Sequence, residues 1–233
     1  MSVLIVAAHP DDEVLGCGGT IARFARQGRS VHVLLMADGE SSRASGTDQP
    51  VGPSPMAERN AAAHTACGIL GCASVESLAL PDNRLDGLEL LDVVKKIEGF
   101  INRYQPLTVF THHCGDVNID HRVVHEAVLA ACRPEPGHPV QELLFFEVPS
   151  STEWRPPGSA VPFLPNYFVD ISATLEIKFA ALEAYASELR EFPHPRSLRA
   201  VEALARWRGA TVGVEAAEAF ILGRKLISNQ ARS

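Results

Sequence analysis

The chain has no long apolar run, no paired cysteines and no excess of positive charge, and each absence closes off a class of function. No stretch is long enough to span a bilayer. The first apolar run begins two residues after Met1, so no signal peptide is expected ahead of it. Five cysteines stand at 17, 67, 72, 114 and 132, an odd number with no C-x-x-C pair. That pattern predicts buried free thiols in a reducing compartment, not a disulfide framework or a multi-cysteine zinc site. Twenty-one Lys and Arg face 28 Asp and Glu, and the net charge of −7 argues against nucleic acid or a membrane surface as the main partner. Gly16-Cys17-Gly18-Gly19 lacks the G-x-G-x-x-G spacing, and the carboxylates just before it would repel a phosphate, which argues against dinucleotide binding. What remains, 46% hydrophobic and 21% charged, is the composition of a globular chain with a real core, expected to be a cytoplasmic enzyme or binding protein.

Apolar runs alternate with amphipathic segments. Strands are expected at Val3–Ala8, Ser30–Met36, Val75–Leu80, Leu107–Thr111, Leu143–Val148 and Tyr167–Ile171. Helices are expected after Asp12, with Val14, Leu15, Ile21 and Phe24 as apolar positions, and over Ala57–Leu70, Leu88–Tyr104, His121–Cys132, Leu175–Leu189, Leu198–Arg208 and Glu215–Leu222. The Ser-, Gly- and Pro-rich stretch Ser41–Pro55 reads as a mobile loop. Alternating strands and helices imply a doubly wound α/β fold, a mostly parallel sheet with helices on both faces, in a single domain over residues 1–233. Ligands of such sheets bind at the carboxyl ends of the strands. Acidic or imidazole groups follow four of the strands: His9 to Glu13, Asp38 to Glu40, Asp82, and His112 to His121.

Two of these clusters carry chemistry. In His9-Pro10-Asp11-Asp12-Glu13, three adjacent carboxylates repel one another unless a cation or proton neutralises them. An imidazole with carboxylate oxygens suits a divalent metal such as zinc. His9 and Asp12, three apart across a strand-to-helix turn, can face one ion, leaving Asp11 beside it where a general base must stand. Helix capping by Asp11 or Asp12 explains one carboxylate but not three plus a histidine. The second cluster is His112-His113-Cys114-Gly115-Asp116-Val117-Asn118-Ile119-Asp120-His121, with His125 a helical turn on. His121 opens a helix at the same sheet edge and shares a face with His125, a pair a zinc site could use, although His125 reads more readily as a core histidine; Asp120 can hold a neighbouring ring N–H.

These two stretches resemble the PIG-L/LmbE-like family of zinc-dependent N-acetylglucosaminyl de-N-acetylases. The opening His-Pro-Asp-Asp-Glu is matched in full, and the later Asp-x-Asn-x-Asp-His is matched by Asp116, Asn118, Asp120 and His121. The likeness extends through Asp38-Gly39-Glu40 and Ala217-Glu218-Ala219-Phe220. It implies that His9, Asp12 and His121 bind the metal, Asp11 is the general base, Asp120 orients a neighbour and Arg59 contacts substrate. Some members place a histidine three residues before the metal histidine to stabilise the oxyanion. Here Asn118 stands at that position. The donor is then Asn118 itself or a replacement, for which His194 is the candidate, alone or reaching from a second subunit. Trp154, among hydroxyl residues, is either a sugar-binding wall or a packing residue. Arg43, Arg59, Arg84 and Arg196 offer guanidiniums to a phosphate, which favours a phosphorylated or nucleotide-linked substrate. The implied reaction is removal of an N-acetyl group from a small amino-sugar substrate, with zinc, iron(II) or cobalt as cofactor. The implied assembly is a homo-oligomer, a trimer or hexamer, with no nucleic acid and no membrane span. The alternatives are hydrolysis of another amide or an ester at the same site, or a non-catalytic sugar or nucleotide binder.

Overall fold

A computed structural model describes residues 1–39 and 55–227. The expected loop over 41–55 lies almost wholly outside them, as does Arg43. Seven strands form one sheet: β1 (Ser2–Ala7), β2 (Ser30–Ala37), β3 (Ser74–Leu80), β4 (Thr108–His112), β5 (Glu142–Phe146), β6 (Tyr167–Asp170) and β7 (Ala217–Lys225). Their order is β3-β2-β1-β4-β5-β7-β6. The first five are parallel, and β7 runs antiparallel between β5 and β6. The helices are α1 (Asp12–Arg26), α2 (Pro55–Leu70), α3 (Leu90–Tyr104), α4 (Ile119–Ala131), α5 (Leu175–Glu183) and α6 (Leu198–Ala210).

Side chains of β1 alternate between two cores, as the two-residue period of a strand requires. Val3, Ile5 and Ala7 pack under α1 and α2, whereas Leu4, Val6 and Ala8 pack under α3 and α4. A strand buried on both faces is apolar at every position, which is why β1 reads as a continuous hydrophobic run. Strand order reverses beside β1: the chain builds outward through β2 and β3, then returns to add β4 on the other side. The carboxyl ends of β1 and β4 therefore flank the crevice where α/β sheets bind ligands.

One expected element is corrected. Glu215–Leu222 is not a helix; its core is strand β7. The Ala- and Glu-rich sequence has helical propensity, but pairing with β5 on one side and β6 on the other overrides it. The exchange also places Glu218. Helix α1 breaks at Cys17 (φ −149°), and the freed N–H groups of Gly19 and Thr20 donate to the Glu218 carboxylate at 3.0 and 2.7 Å. Lys178 of α5 closes the cluster, its Nζ 2.6 Å from Glu218 Oε1 and donating to the Leu15 carbonyl at 2.8 Å. The glycines of α1 serve close packing: a Cβ on Gly19 would stand 2.8 Å from Ile171, and one on Gly16 would overlap the Phe146 ring. Among the described residues no helix is long and apolar enough to cross a membrane.

Candidate active site

The turn after β1 aims its carboxylates by local geometry. Asp11 is the residue before α1, and its carbonyl accepts from Val14 N and Leu15 N at 3.0 and 2.9 Å. Its side chain makes no capping bond. Simple helix capping therefore does not account for Asp11, whose carboxylate instead meets Arg196 Nη1 at 2.7 Å. Asp12, the first residue of α1, points inward, and its Oδ2 lies 3.2 Å from both His9 Nδ1 and His121 Nε2. The backbone N–H of His9 donates to the same oxygen at 2.9 Å.

The loop from β4 to α4 is shaped by its own polar side chains. The Asp116 carboxylate accepts from Asn118 N at 2.9 Å, and Asn118, the N-cap of α4, accepts from Asp120 N at 2.8 Å. His121 thereby enters on the first turn of α4 with its ring stacked on His112 at 3.9 Å between centroids. His9 and His121 each present their other nitrogen to a second carboxylate. His9 Nε2 lies 3.1 Å from Asp120 and 3.0 Å from Asp82, and His121 Nδ1 lies 3.1 Å from Asp116. Asp120 is held in turn by the N–H groups of Asn83 and Leu85 at 2.7 and 3.0 Å. Asp116 is held by the hydroxyls of Ser151 and Thr152, the latter at 2.8 Å. Such outer partners fix ring orientation and tautomer in metal sites. His125 Nδ1 donates to the His112 carbonyl at 2.8 Å, as a core histidine does.

Charge in this cluster is strongly displaced from ordinary values. Burial would lower the His121 imidazole, but Asp12 and Asp116 outweigh it and push it up to about 9. Burial likewise opposes a charged His9, yet its bonds to Asp12, Asp120 and Asp82 hold it well above the usual range. Burial would raise Asp12, and His121 beside it holds the carboxyl well below the usual range. His112 is kept neutral by burial and by the charge on His121, and its Nε2 accepts the Ala8 N–H at 2.8 Å. A group of acids and imidazoles with this preference for positive charge is suited to a cation. Single ligand atoms of His9, Asp12 and His121 all lie within 4.8 Å of one another. Asp12 Oδ1 is buried without a hydrogen-bond partner. Two imidazole nitrogens and a carboxylate oxygen, with one carboxylate lone-pair site unclaimed, fit a divalent metal with an open coordination position. His9, Asp82 and Asp120 form a second such group, but the Asp120 oxygens are already committed to backbone N–H groups.

A small cleft of about 70 Å³ opens beside this cluster, lined by His9, Asp11, Arg59, Asp82, Asn118 and Arg196 among others. Arg59, on α2, is buried and paired with Glu188. It passes over Gly39 (φ 71°), where a Cβ would stand 2.5 Å from Arg59 Nη1. Arg196 spans Asp11, Glu188 at 3.6 Å and the Ser150 hydroxyl at 2.7 Å. Both arginines are thus engaged by carboxylates, so the expectation of a phosphate contact finds no support at 59 and 196. Asn118 Nδ2 donates to Asn83 Oδ1 at 3.2 Å at the rim. His194 and Trp154 are brought to each other, edge to face at 5.7 Å, but neither lines the cleft. The residue that enters from that segment is Arg196.

Residues 4–132, more than half of the chain, match the PIG-L family, described as GlcNAc-PI de-N-acetylase. The chain belongs to the PIG-L family. Among its relatives, the uncharacterized deacetylase YaiS of Escherichia coli is 31% identical over 191 residues, covering 79% of this chain and 90% of YaiS. The diacetylchitobiose deacetylase of Thermococcus kodakarensis is 30% identical over 200 residues, 81% of this chain and 70% of that protein. A 4-oxalmesaconate hydratase of Pseudomonas putida is also 30% identical, over 206 residues, 80% of this chain and 74% of its own. The conserved protein TT1542 of Thermus thermophilus superposes with a TM-score of 0.75 at 31% identity over 99% of both chains. This PIG-L chain carries site residues that sequence reasoning left without a role. Asp116 and Asp82 stood in the expected clusters with none assigned, and Glu188 and Tyr185 sat unremarked in a segment read only as helix. Arg196 was noted as a phosphate partner rather than the partner of Asp11. For Asp116 a signal existed, since it opens the Asp-x-Asn-x-Asp-His motif, and for Asp82 in its place after a strand; for Glu188 and Tyr185 only the fold supplies it.

Proposed function

We propose that this chain removes the N-acetyl group from an amino-sugar substrate of the N-acetylglucosamine type, releasing acetate and a free amine. The observation that carries the reading is the buried convergence of His9, Asp12 and His121 with the Asp11 carboxylate beside them on an open cleft. Relatives named as deacetylases of acetylated sugars support the choice of substrate class. His9, Asp12 and His121 are the residues that would hold a zinc ion. Bound there, zinc would polarise the amide carbonyl and acidify the attacking water.

The chain's own residues do the rest. Asp11 takes the proton of the attacking water and returns it to the departing amine. Burial, only partly offset by Arg196, raises the Asp11 carboxyl to about 7, which suits a group that must both take and give a proton near neutrality. Asp120 and Asp116 hold the rings of His9 and His121. Asn118, at the cleft rim, is assigned the second oxyanion contact. Arg59 meets the sugar, and His194 with Trp154 forms an outer wall for the rest of the substrate. Five unbridged cysteines support a reducing, cytoplasmic setting, and the trimeric or hexameric assembly stays part of the proposal.

The test is a panel of N-acetylated sugars assayed for acetate. Release from at least one, falling by about 10²–10⁴ in Asp11→Asn, is the expected result. No acetate from any N-acetylated sugar, together with water addition to 4-oxalmesaconate, an unsaturated tricarboxylate, would move the reading to the chemistry of the hydratase relative.

A further inference from the structure

Asp11 holds a backbone conformation that residues with a Cβ rarely adopt, φ 106° and ψ −29°. A residue preceding a helix is ordinarily extended and turns its side chain back onto the free N–H groups of the first turn. Asp11 does neither. Such a conformation persists only where its surroundings over-determine it, and the structure shows what does so here. The N–H of Asp11 donates to Glu13 Oε2 at 3.0 Å, and Glu13 Oε1 accepts the hydroxyl of Tyr185 at 2.6 Å. Glu13 is 0% exposed and Tyr185 2%. Tyr185 stands in the turn after α5 and is 172 residues from Glu13. The usual relation is inverted: the helix residue captures the N–H of the residue before the helix, and the Asp11 carboxylate is left to face the cleft.

We propose that Glu13 and Tyr185 are positioning residues, a buried tether that keeps the Asp11 backbone left-handed and its carboxylate aimed into the cleft. The proposal rests on the reading of Asp11 as the base. What the tether requires is an acceptor for Asp11 N–H that is itself anchored, not a charge. Glutamine at 13 supplies both, its Oε1 accepting from Asp11 and its amide N–H donating to the tyrosine oxygen.

Five variants test this on the zinc-loaded protein with the best acetylated sugar of the panel. Glu13→Ala is expected to lose about 100-fold in kcat, the scale of a base displaced by about 1 Å. KM stays unchanged, and so does zinc affinity measured by chelator competition. Tyr185→Phe, which leaves the fold's packing intact, loses roughly tenfold in kcat with the same constancy of KM and zinc affinity. Glu13→Gln recovers turnover to within about threefold of the native chain. In an Asp11→Asn background, Glu13→Ala costs nothing further, because the two act through one group. If Asp11→Asn is inactive while Glu13→Ala and Tyr185→Phe keep native kcat, the tether is wrong and the base reading stands. If Asp11→Asn itself keeps native turnover, the base reading fails and the tether with it. A fall in zinc affinity in step with kcat also overturns the proposal, since the bonds would then serve Asp12 rather than Asp11.

Discussion

The turn from His9 to Glu13 and the segment from Tyr185 to Arg196 both reach the cleft, yet they do so by different means. The first is contiguous. A strand end, a proline and a helix start deliver His9, Asp11, Asp12 and Glu13 to one place within five residues. The second is assembled at a distance: Tyr185 meets Glu13, Glu188 pairs with Arg59, and Arg196 meets Asp11, 185 residues away in sequence. On the proposed reading, the N-terminal turn supplies the reacting groups and the C-terminal segment holds them still. A protein of this design should lose chemistry when the first is altered and tuning when the second is altered.

The largest effect expected from breaking this division is at Asp11. Asp11→Asn keeps the fold and the metal ligands and should lower kcat by about 10²–10⁴, the range for removal of a general base. Steady-state rates with zinc content measured in parallel check it. Next is the ligand-holding layer. Asp116→Asn removes the charge beside His121 Nδ1 and should weaken zinc binding by about 10–100-fold, read by chelator competition. The smallest effect is at Arg196. Its charge lowers the Asp11 carboxyl against the rise caused by burial. Without that charge the carboxyl titrates at higher pH, and a base works only when deprotonated. Arg196→Ala should therefore move the acid limb of the kcat/KM profile upward by about one pH unit, costing up to roughly tenfold below pH 7 and little well above it. An unmoved limb would mean that Arg196 does not tune Asp11.

The same contrast explains what could be read in the sequence. The parallel half of the sheet was legible because β1, β2, β4 and β5 are largely buried on both faces and therefore mostly apolar. Strand β7 was not, since Ala217-Glu218-Ala219 has the composition of a helix and becomes a strand only between β5 and β6. In the site, His9, Asp11, Asp12, Asp120 and His121 were legible because each lies in a short motif whose spacing carries its geometry. Glu188, Tyr185 and the pairing of Arg196 with Asp11 were not, because nothing local marks a side chain whose partner lies more than a hundred residues away. Asp116 lies between these cases: the motif displays it, but its role depends on the tilt of the His121 ring.

The central claim is that His9, Asp12 and His121 grip one divalent metal on which turnover depends. The most direct measurement is acetate release by protein stripped with a strong chelator, repeated as zinc is titrated back. The account predicts no turnover in the stripped protein and full recovery at one equivalent, with no recovery in Asp12→Ala. Native turnover after complete metal removal would contradict it.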